Sequence, residues 1–211
     1  LGRVLEAFDR HGLWDDTMLV LWTDHGFHLG EHDCYAKMHM PWWNTIANTP
    51  FLMHDPRHPQ AAGTRRNALV QPALDLAPTL LDFFGLKPTK HMTGKNLAPA
   101  LADDTPVREA AIFGAWGGHV NCTDGQRVYM KAPANTDNQP LCQYTLMPTH
   151  MREHFDHQLF APGNVRMHEG FGFTKGAQVM KIKVDDDGKC TSGSRALPYG
   201  TLLYDLANDP D

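Results

Sequence analysis

An apolar run, Leu19-Val20-Leu21-Trp22, breaks off into Thr23-Asp24-His25-Gly26, and Lys37 follows twelve residues after His25. An ionised Asp offers a hard oxygen and a neutral imidazole a nitrogen lone pair, so the adjacent pair can hold one side of a divalent cation. A lysine ammonium carries three donors and a positive charge, which suits an anion whose leaving oxygen gains charge in the transition state. Two ligands do not complete a site. A bound ion takes four or more donors, so the others must come from elsewhere in the fold. The same residues have an ordinary reading as well: Asp24 can cap its own turn with His25 at the surface, and a lone lysine is usually solvated.

The elements that must position this pair can be read coarsely. Met18 to Trp22 is short and continuously apolar, which suits a strand covered on both faces in a parallel sheet. Ligand sites in such sheets gather at the carboxyl ends of strands, where Asp24 and His25 stand and Gly26 lets the chain turn. Val4, Leu5 and Phe8 on one face, with Gly12 as a stop, predict a helix over residues 1 to about 12. Residues 17 to 23 read as the core strand, 24 to 48 as a loop rich in His, Met and Trp whose length is usually functional, and 49 to 54 as a second core strand. A polar connection over 55 to 68 leads to a helix with Asp75 near its start, Pro78 in its first turns and Gly85 as its stop. Gly94 to Leu101 reads as a short helix or turn.

Beyond about Thr105 the texture changes to short strands at Ala110 to Ala115, His119 to Thr123 and Arg127 to Lys131, with Asp124-Gly125 as a hairpin turn. Residues 133 to 180 are rich in Pro, His and Met and poorly periodic, so loops and short helices are expected there. His119, flanked by Gly117 and Gly118, is a candidate exposed imidazole that binds substrate or assists proton transfer, against the simpler reading of a structural histidine in a turn. His150, Arg152, His154 and His157 suit a solvated face better than a second metal site. His28, His32 and His39 lie closer in sequence to Asp24; His32 and His39 are substrate-binding candidates, and Trp42 and Trp43 either wall a pocket or fill core.

Composition narrows the function classes. At 211 residues the chain is long enough for one domain with a sizeable core, or one domain plus a subdomain. The net charge of −5 and the lack of a basic stretch argue against nucleic acid as a partner. No apolar run approaches the length of a membrane span, and the four cysteines have neither zinc-type spacing nor the density of a disulfide framework.

Four ordered strings carry a resemblance. Asp24-His25-Gly26-x-x-Leu29-Gly30-Glu31-His32 followed by Lys37 resembles the metal-binding and sulfate-binding segment of the sulfatases, within the alkaline phosphatase superfamily. Asn48-Thr49-Pro50-Phe51-Leu52-Met53 is similar to the family's next strand, and Asp75-Leu76-Ala77-Pro78-Thr79-Leu80-Leu81-Asp82-Phe83-Phe84-Gly85-Leu86 to its "D-L-x-P-T-L-L-D-x-x-G" helix. Leu203-Tyr204-Asp205-Leu206-Ala207-Asn208-Asp209-Pro210 resembles the "L-Y-D-L-x-x-D-P" run near its C-terminal subdomain.

The resemblance implies an α/β fold: residues 1–104 as part of a mostly parallel, alkaline-phosphatase-like sheet flanked by helices, and 105–211 as a smaller C-terminal antiparallel-sheet subdomain. It implies hydrolysis of a small-molecule or glycan sulfate ester, with Asp24 and His25 as the second pair of metal ligands and Lys37 on the sulfate oxygens. His32 matches a recurring family position. The implied cofactor is a divalent metal, normally calcium, with manganese, magnesium or zinc as alternatives. Many relatives carry Asn where His25 stands, and the acidic residues common before the next strand are replaced here by Asn44 and Thr45. Sulfatases attack with a formylglycine made from a C/S-x-P-x-R motif, and no cysteine or serine of this sequence fits it. The chain therefore reads as a fragment, inactive alone, whose nucleophile is expected upstream, with a periplasmic or secreted location implied by resemblance. Two other readings remain at this stage: a phosphodiesterase or phosphonate monoester hydrolase of the same superfamily, and a non-catalytic anion- or carbohydrate-binding remnant.

Overall fold

The computed structural model describes residues 1–35, 37, 41–135, 138–149, 154–184 and 199–209. Helix α1 (Gly2–His11) ends where expected: Gly12 takes the left-handed conformation at φ +61° and turns its amide back onto the Asp9 and Phe8 carbonyls. Its buried residue, Phe8, packs against the Trp14 ring at 4.8 Å, and Trp14 meets the His54 ring edge-on at 5.0 Å. His54 Nε2 donates to the Trp14 carbonyl at 2.8 Å. Sequence neighbours at the start of the chain are thus joined to a strand that lies some forty residues on.

That strand, β2 (Phe51–His54), pairs with β1 (Leu19–Trp22) in antiparallel register, Leu19 opposite His54 and Trp22 opposite Phe51. Leu21 and Leu52 stand opposite each other on one face and are 39% and 57% exposed. The apolar run is therefore half-covered, and no described strand pairs with it in parallel. Its continuous hydrophobicity reports two apolar faces, and the described residues cover only one of them.

At the far end of β2, Asp55 is fully enclosed and clasped by Arg57, which also reaches the Asp82 carboxylate at 3.1 Å. Burial alone would push the Asp55 carboxyl up, but the Arg57 side-chain and backbone hydrogen bonds outweigh it and hold it below the usual carboxylate range. Helix α3 (Pro72–Phe83) lies beyond that clasp. Pro72 fills its first position, where a missing amide costs nothing, and Pro78 sits in the helix interior rather than in the first turns as expected. Pro78 leaves the Leu74 carbonyl without its helical donor, and Gly94 passes directly against that oxygen: a Cβ there would stand 1.8 Å from it. Gly85, at φ +68°, closes the helix, with Leu86 N bonded to the Leu81 carbonyl.

The interior of α3 carries a buried polar knot. Asp75 has no exposure, and its carboxylate accepts from the amides of Gln71 at 2.7 Å and Lys95 at 2.8 Å and from Arg108 Nη2. Arg108 Nη1 also donates to Gln71 Oε1 at 2.5 Å. One turn on, the buried Thr79 hydroxyl donates to the Asp75 carbonyl at 2.6 Å and accepts from Leu97 N at 3.0 Å. Leu97 leads into helix α4 (Ala98–Asp103), whose Leu101 and Ala102 carbonyls, unpaired within the helix, accept from Arg66.

Strands β3 (Ala111–Gly114), β4 (Val120–Thr123) and β5 (Arg127–Lys131) follow as read from the sequence, and β9 (Leu202–Asp205) completes an antiparallel sheet in the order β3-β4-β5-β9. Val128 and Met130 alternate inward while Arg127, Tyr129 and Lys131 face out. Where loops and short helices were expected over 133 to 180, three more strands appear: β6 (Leu141–Thr145), β7 (Val165–His168) and β8 (Val179–Val184), in the order β6-β8-β7. Each is short, and their partners are far apart in sequence, so no local pattern announced them. Phe155, Ile182 and Val184 form the core of this sheet, with Leu141, Leu159, Val165 and Met180 packed around.

Two predictions follow from these clasps. Arg108→Ala leaves the Asp75 carboxylate buried without its counter-ion and should lower unfolding free energy by about 3–5 kcal/mol, read by urea denaturation; a loss below about 1 kcal/mol would show that the knot does not hold these segments together. Because the Asp55 carboxyl is held low, its contribution is present at neutral pH and is lost as pH falls through its folded value. Arg57→Gln should therefore flatten the acid side of the stability curve below the ordinary carboxylate range, and an unchanged slope would refute the clasp.

Candidate active site

Asp24 and His25 leave the end of β1 together. Asp24 Oδ1 accepts from the His25 amide at 3.0 Å, and its side chain remains 76% exposed. His25 Nδ1 lies 2.9 Å from the Gly26 carbonyl, which can only accept, so Nδ1 carries the ring proton and Nε2 keeps its lone pair. That Nε2 stands 3.6 Å from Asp24 Oδ2. Two cis donors on a cation with bonds of about 2.4 Å lie roughly 3.4 Å apart, so the pair fits one edge of a hard divalent ion such as calcium. Among the described residues no group of three or more His, Cys, Asp or Glu side chains converges as a metal site.

The pair is positioned by backbone. Gly26 N donates to the Ile46 carbonyl at 2.8 Å, and a Cβ at Gly26 would stand 1.8 Å from the Thr45 carbonyl oxygen. Helix α2 (Asn44–Ala47) thus presses on the turn, with Ile46 almost wholly buried beneath it. The Thr45 hydroxyl lies 3.0 Å from Nδ1 of the buried His28. Sequence reasoning set Thr45 aside as a departure from the family pattern; in the fold it is the residue against which the turn is seated. A glycine directly after the ligand pair was the only signal of so close an approach.

His32 and Trp43 form the next layer. His32, at φ +53°, stacks flat on the Trp43 indole with ring centres 3.8 Å apart, and His28 meets both rings edge-on. Trp43 is 6% exposed, so it fills core, and its Nε1 donates to the Tyr204 hydroxyl at 3.3 Å while Tyr199 meets the indole at right angles, 5.5 Å between ring centres. Glu31 beside it is held below the usual carboxylate range by its own amide and that of Leu29. Lys37 is exposed, and no ion pair joins it to a described residue. His39, with His150 and Arg152, lies outside the described residues.

His119 departs from its expected setting. The flanking glycines pointed to an exposed imidazole, yet the ring is fully buried, with Nε2 donating to the Gly200 carbonyl at 2.8 Å. Gly114 is what permits this: it crosses so close to β4 that a Cβ would stand 2.5 Å from the His119 carbonyl. Glycine here brings backbone to backbone, which encloses the ring instead of opening it.

Residues 1–86 match the Sulfatase family model. The chain is 30% identical over 129 residues to a sulfatase of Formosa agariphila, covering 60% of this chain and 24% of that protein. It is 32% identical over 117 residues to an N-acetylglucosamine-6-O-sulfatase of Bacteroides thetaiotaomicron, covering 54% of this chain and 20% of the relative. A solved structure of a protein in complex with its substrate D-glucosamine-2-N,6-O-disulfate is similar at a TM-score of 0.55 and 25% identity, covering 64% of this chain and 29% of that one. An α/β fold of the alkaline-phosphatase-like type, followed by antiparallel sheets, is thus the class to which the architecture belongs. Over residues 1–86 the chain is similar to the sulfatases. It spans about a quarter or less of the length of the curated relatives it matches.

The seating of the turn is directly testable. Gly26→Ala drives a methyl into the Thr45 carbonyl and should cost roughly 1–3 kcal/mol of stability. Thermal melting measures this, and an unshifted melt would mean that α2 does not hold the Asp24–His25 turn.

Proposed function

We propose that the protein hydrolyses sulfate esters, with a sulfated amino-sugar glycan as the substrate class. The observation that carries this is the Asp24–His25 pair at the end of β1, a carboxylate and an imidazole lone pair 3.6 Å apart within the segment matched by the sulfatase family model. The substrate class is supported by the names of the relatives, one an N-acetylglucosamine-6-O-sulfatase and another bound to a disulfated glucosamine.

The named residues have defined parts in this reading. Asp24 and His25 hold one edge of a divalent cation, calcium by the hardness of the carboxylate, and the Nδ1–H bond to the Gly26 carbonyl keeps the imidazole in the tautomer that can ligate. That cation, when bound, supplies positive charge to the ester oxygens. Lys37 supplies a second positive charge to the sulfate as its bridging oxygen departs. His32, stacked on Trp43, and His39 are assigned to substrate contact, while the buried His119 has a structural part in holding the Gly200 carbonyl. The nucleophile of such an enzyme, a formylglycine, would come from residues outside this sequence.

The test is turnover by the intact protein of a 6-O-sulfated glucosamine against the corresponding aryl phosphonate monoester. Sulfate should be preferred, and Asp24→Ala and Lys37→Ala should each lower kcat about 10²–10³-fold. Calcium removal by a chelator should abolish turnover. Undiminished activity in either variant would overturn the residue assignment, and a preference for the phosphonate would overturn the substrate class.

A further inference from the structure

The C-terminal sheet carries a second constellation, unrelated to the ligand pair. Strand β6 is an edge strand, and its register with β8 sets Tyr144 opposite Lys181 and Cys142 opposite Lys183; β7 sets Arg166 opposite Lys181. Strand alternation therefore gathers Lys181, Lys183 and Arg166 on the face that bears Tyr144, while Ile182 and Val184 point the other way into the core. None of these cations makes an ion pair with a described residue. Acidic residues flank the strands in sequence at Glu169 and at Asp185-Asp186-Asp187, the latter outside the described residues.

A cleft of about 540 Å³ opens along β6, walled by Trp116, Tyr144, Phe171 and Phe173, with Gln143 and Thr145 supplying polar groups. This volume is that of a small-molecule site. The wall is built. Phe171 stacks on Phe173 at 5.3 Å and on His168 at 5.1 Å, and Tyr144 meets Phe171 edge-on at 5.2 Å. The Thr174 hydroxyl accepts from Phe171 N and lies 2.9 Å from both the Phe171 and Ala177 carbonyls, which fixes the loop that carries the two phenylalanines. Gly170, at φ +88°, allows that closure, since a Cβ would stand 2.3 Å from the Ala177 oxygen. Trp116 is anchored through Nε1 to the Cys142 carbonyl at 3.1 Å, and Lys181 Nζ lies 5.3 Å from the Tyr144 ring centre.

We propose that this cleft is a second, non-catalytic carbohydrate site that takes a pyranose ring of a sulfated oligosaccharide. Aromatic faces carry negative charge density that attracts the polarised C–H groups of a sugar ring, and preset rings bind at small entropic cost. The three cations on the adjoining face select an anionic sugar; the choice of sulfate over carboxylate as the anion rests on the proposed function. Charge complementarity on one face stands out in a chain whose net charge is −5, and that net charge disfavours an extended nucleic acid on the same platform.

The experiment uses the intact protein and a sulfated glucosamine-containing tetrasaccharide, its desulfated counterpart, a uronic acid oligosaccharide and a short single-stranded DNA, each by titration calorimetry. Variants Tyr144→Ala, Phe173→Ala and Lys181→Gln are compared with the parent, with thermal melts to confirm folding; Phe173→Ala alters an exposed position and Lys181→Gln a half-buried one, and both serve if Tyr144→Ala does not fold. The expected result is an affinity for the sulfated tetrasaccharide lowered about tenfold in the variants and weakened by salt, with turnover of a small aryl sulfate unchanged. Equal binding of the desulfated or uronic sugar, tighter binding of DNA, or an affinity unmoved in all folded variants would overturn the proposal. Cleft-dependent binding without any sulfate-ester turnover would uphold the site and defeat the catalytic reading, so the two fail separately.

Discussion

A carboxylate with no exposure has to be satisfied from within, and Asp75 is satisfied by three stretches of chain that are remote from one another. The Gln71 amide fixes the entry to α3, the Lys95 amide fixes the segment that returns along it, and Arg108 fixes the approach to β3. A buried ion pair of this kind contributes more to uniqueness than to net stability, because its desolvation offsets much of its attraction. An alternative packing would strand a charge in the interior. The knot therefore narrows the arrangements open to residues 71 to 112, and Pro78, Thr79 and Gly94 around it are read most simply as the residues that let backbone approach backbone there.

The constraint reaches the ligand pair by a traceable route. Gln71, one end held by Arg108, donates through Nε2 to the Ile112 carbonyl and so sets β3, whose register passes through β4 and β5 to β9. On β9, the Tyr204 hydroxyl accepts from Trp43, and Trp43 underlies His32 and His28. His28 meets Thr45, and the Thr45 carbonyl seats Gly26. An exposed Asp24–His25 pair at the end of a half-covered strand is held in place by this stack, which explains how a short strand with an open face can present two polar side chains in a defined relation.

Much of this was legible, and what was not shares a cause. Gly12, Gly85 and Asp124-Gly125 act within a few residues, so the ends of α1 and α3 and the β4–β5 turn could be read directly. The Asp24–His25 pair was legible as residue types at a strand end, whereas its seating depends on Thr45, twenty residues on, which no local spacing encodes. Strand β8 alternates as Val179-Met180-Lys181-Ile182-Lys183-Val184, but its partners β6 and β7 lack a clean pattern of their own, and the sheet exists only through their mutual pairing. His119 shows the limit most clearly: glycines beside it signal close backbone approach, and whether that exposes or buries the ring depends on Gly200, which arrives from the other end of the chain.

The turn between β3 and β4 lets the two constellations share one frame. Trp116 at its start is hydrogen-bonded to β6 and walls the aromatic cleft, the Gly117 carbonyl accepts from Asn138, and His119 at its end holds the Gly200 carbonyl. Tyr199, the neighbour of Gly200, packs against Trp43 beneath His32. Four consecutive positions therefore join the sheet that bears the cations to the aromatic stack that supports the ligand pair. Because packed cores shift between discrete arrangements and do not stretch, a glycan held at the cleft would meet the strand-end site at a separation set by this turn and not by a flexible linker. An anionic ring gripped between Tyr144 and Lys181 would then bring the rest of its chain along one surface, which is the geometric condition for a remote contact to assist catalysis at a second ring.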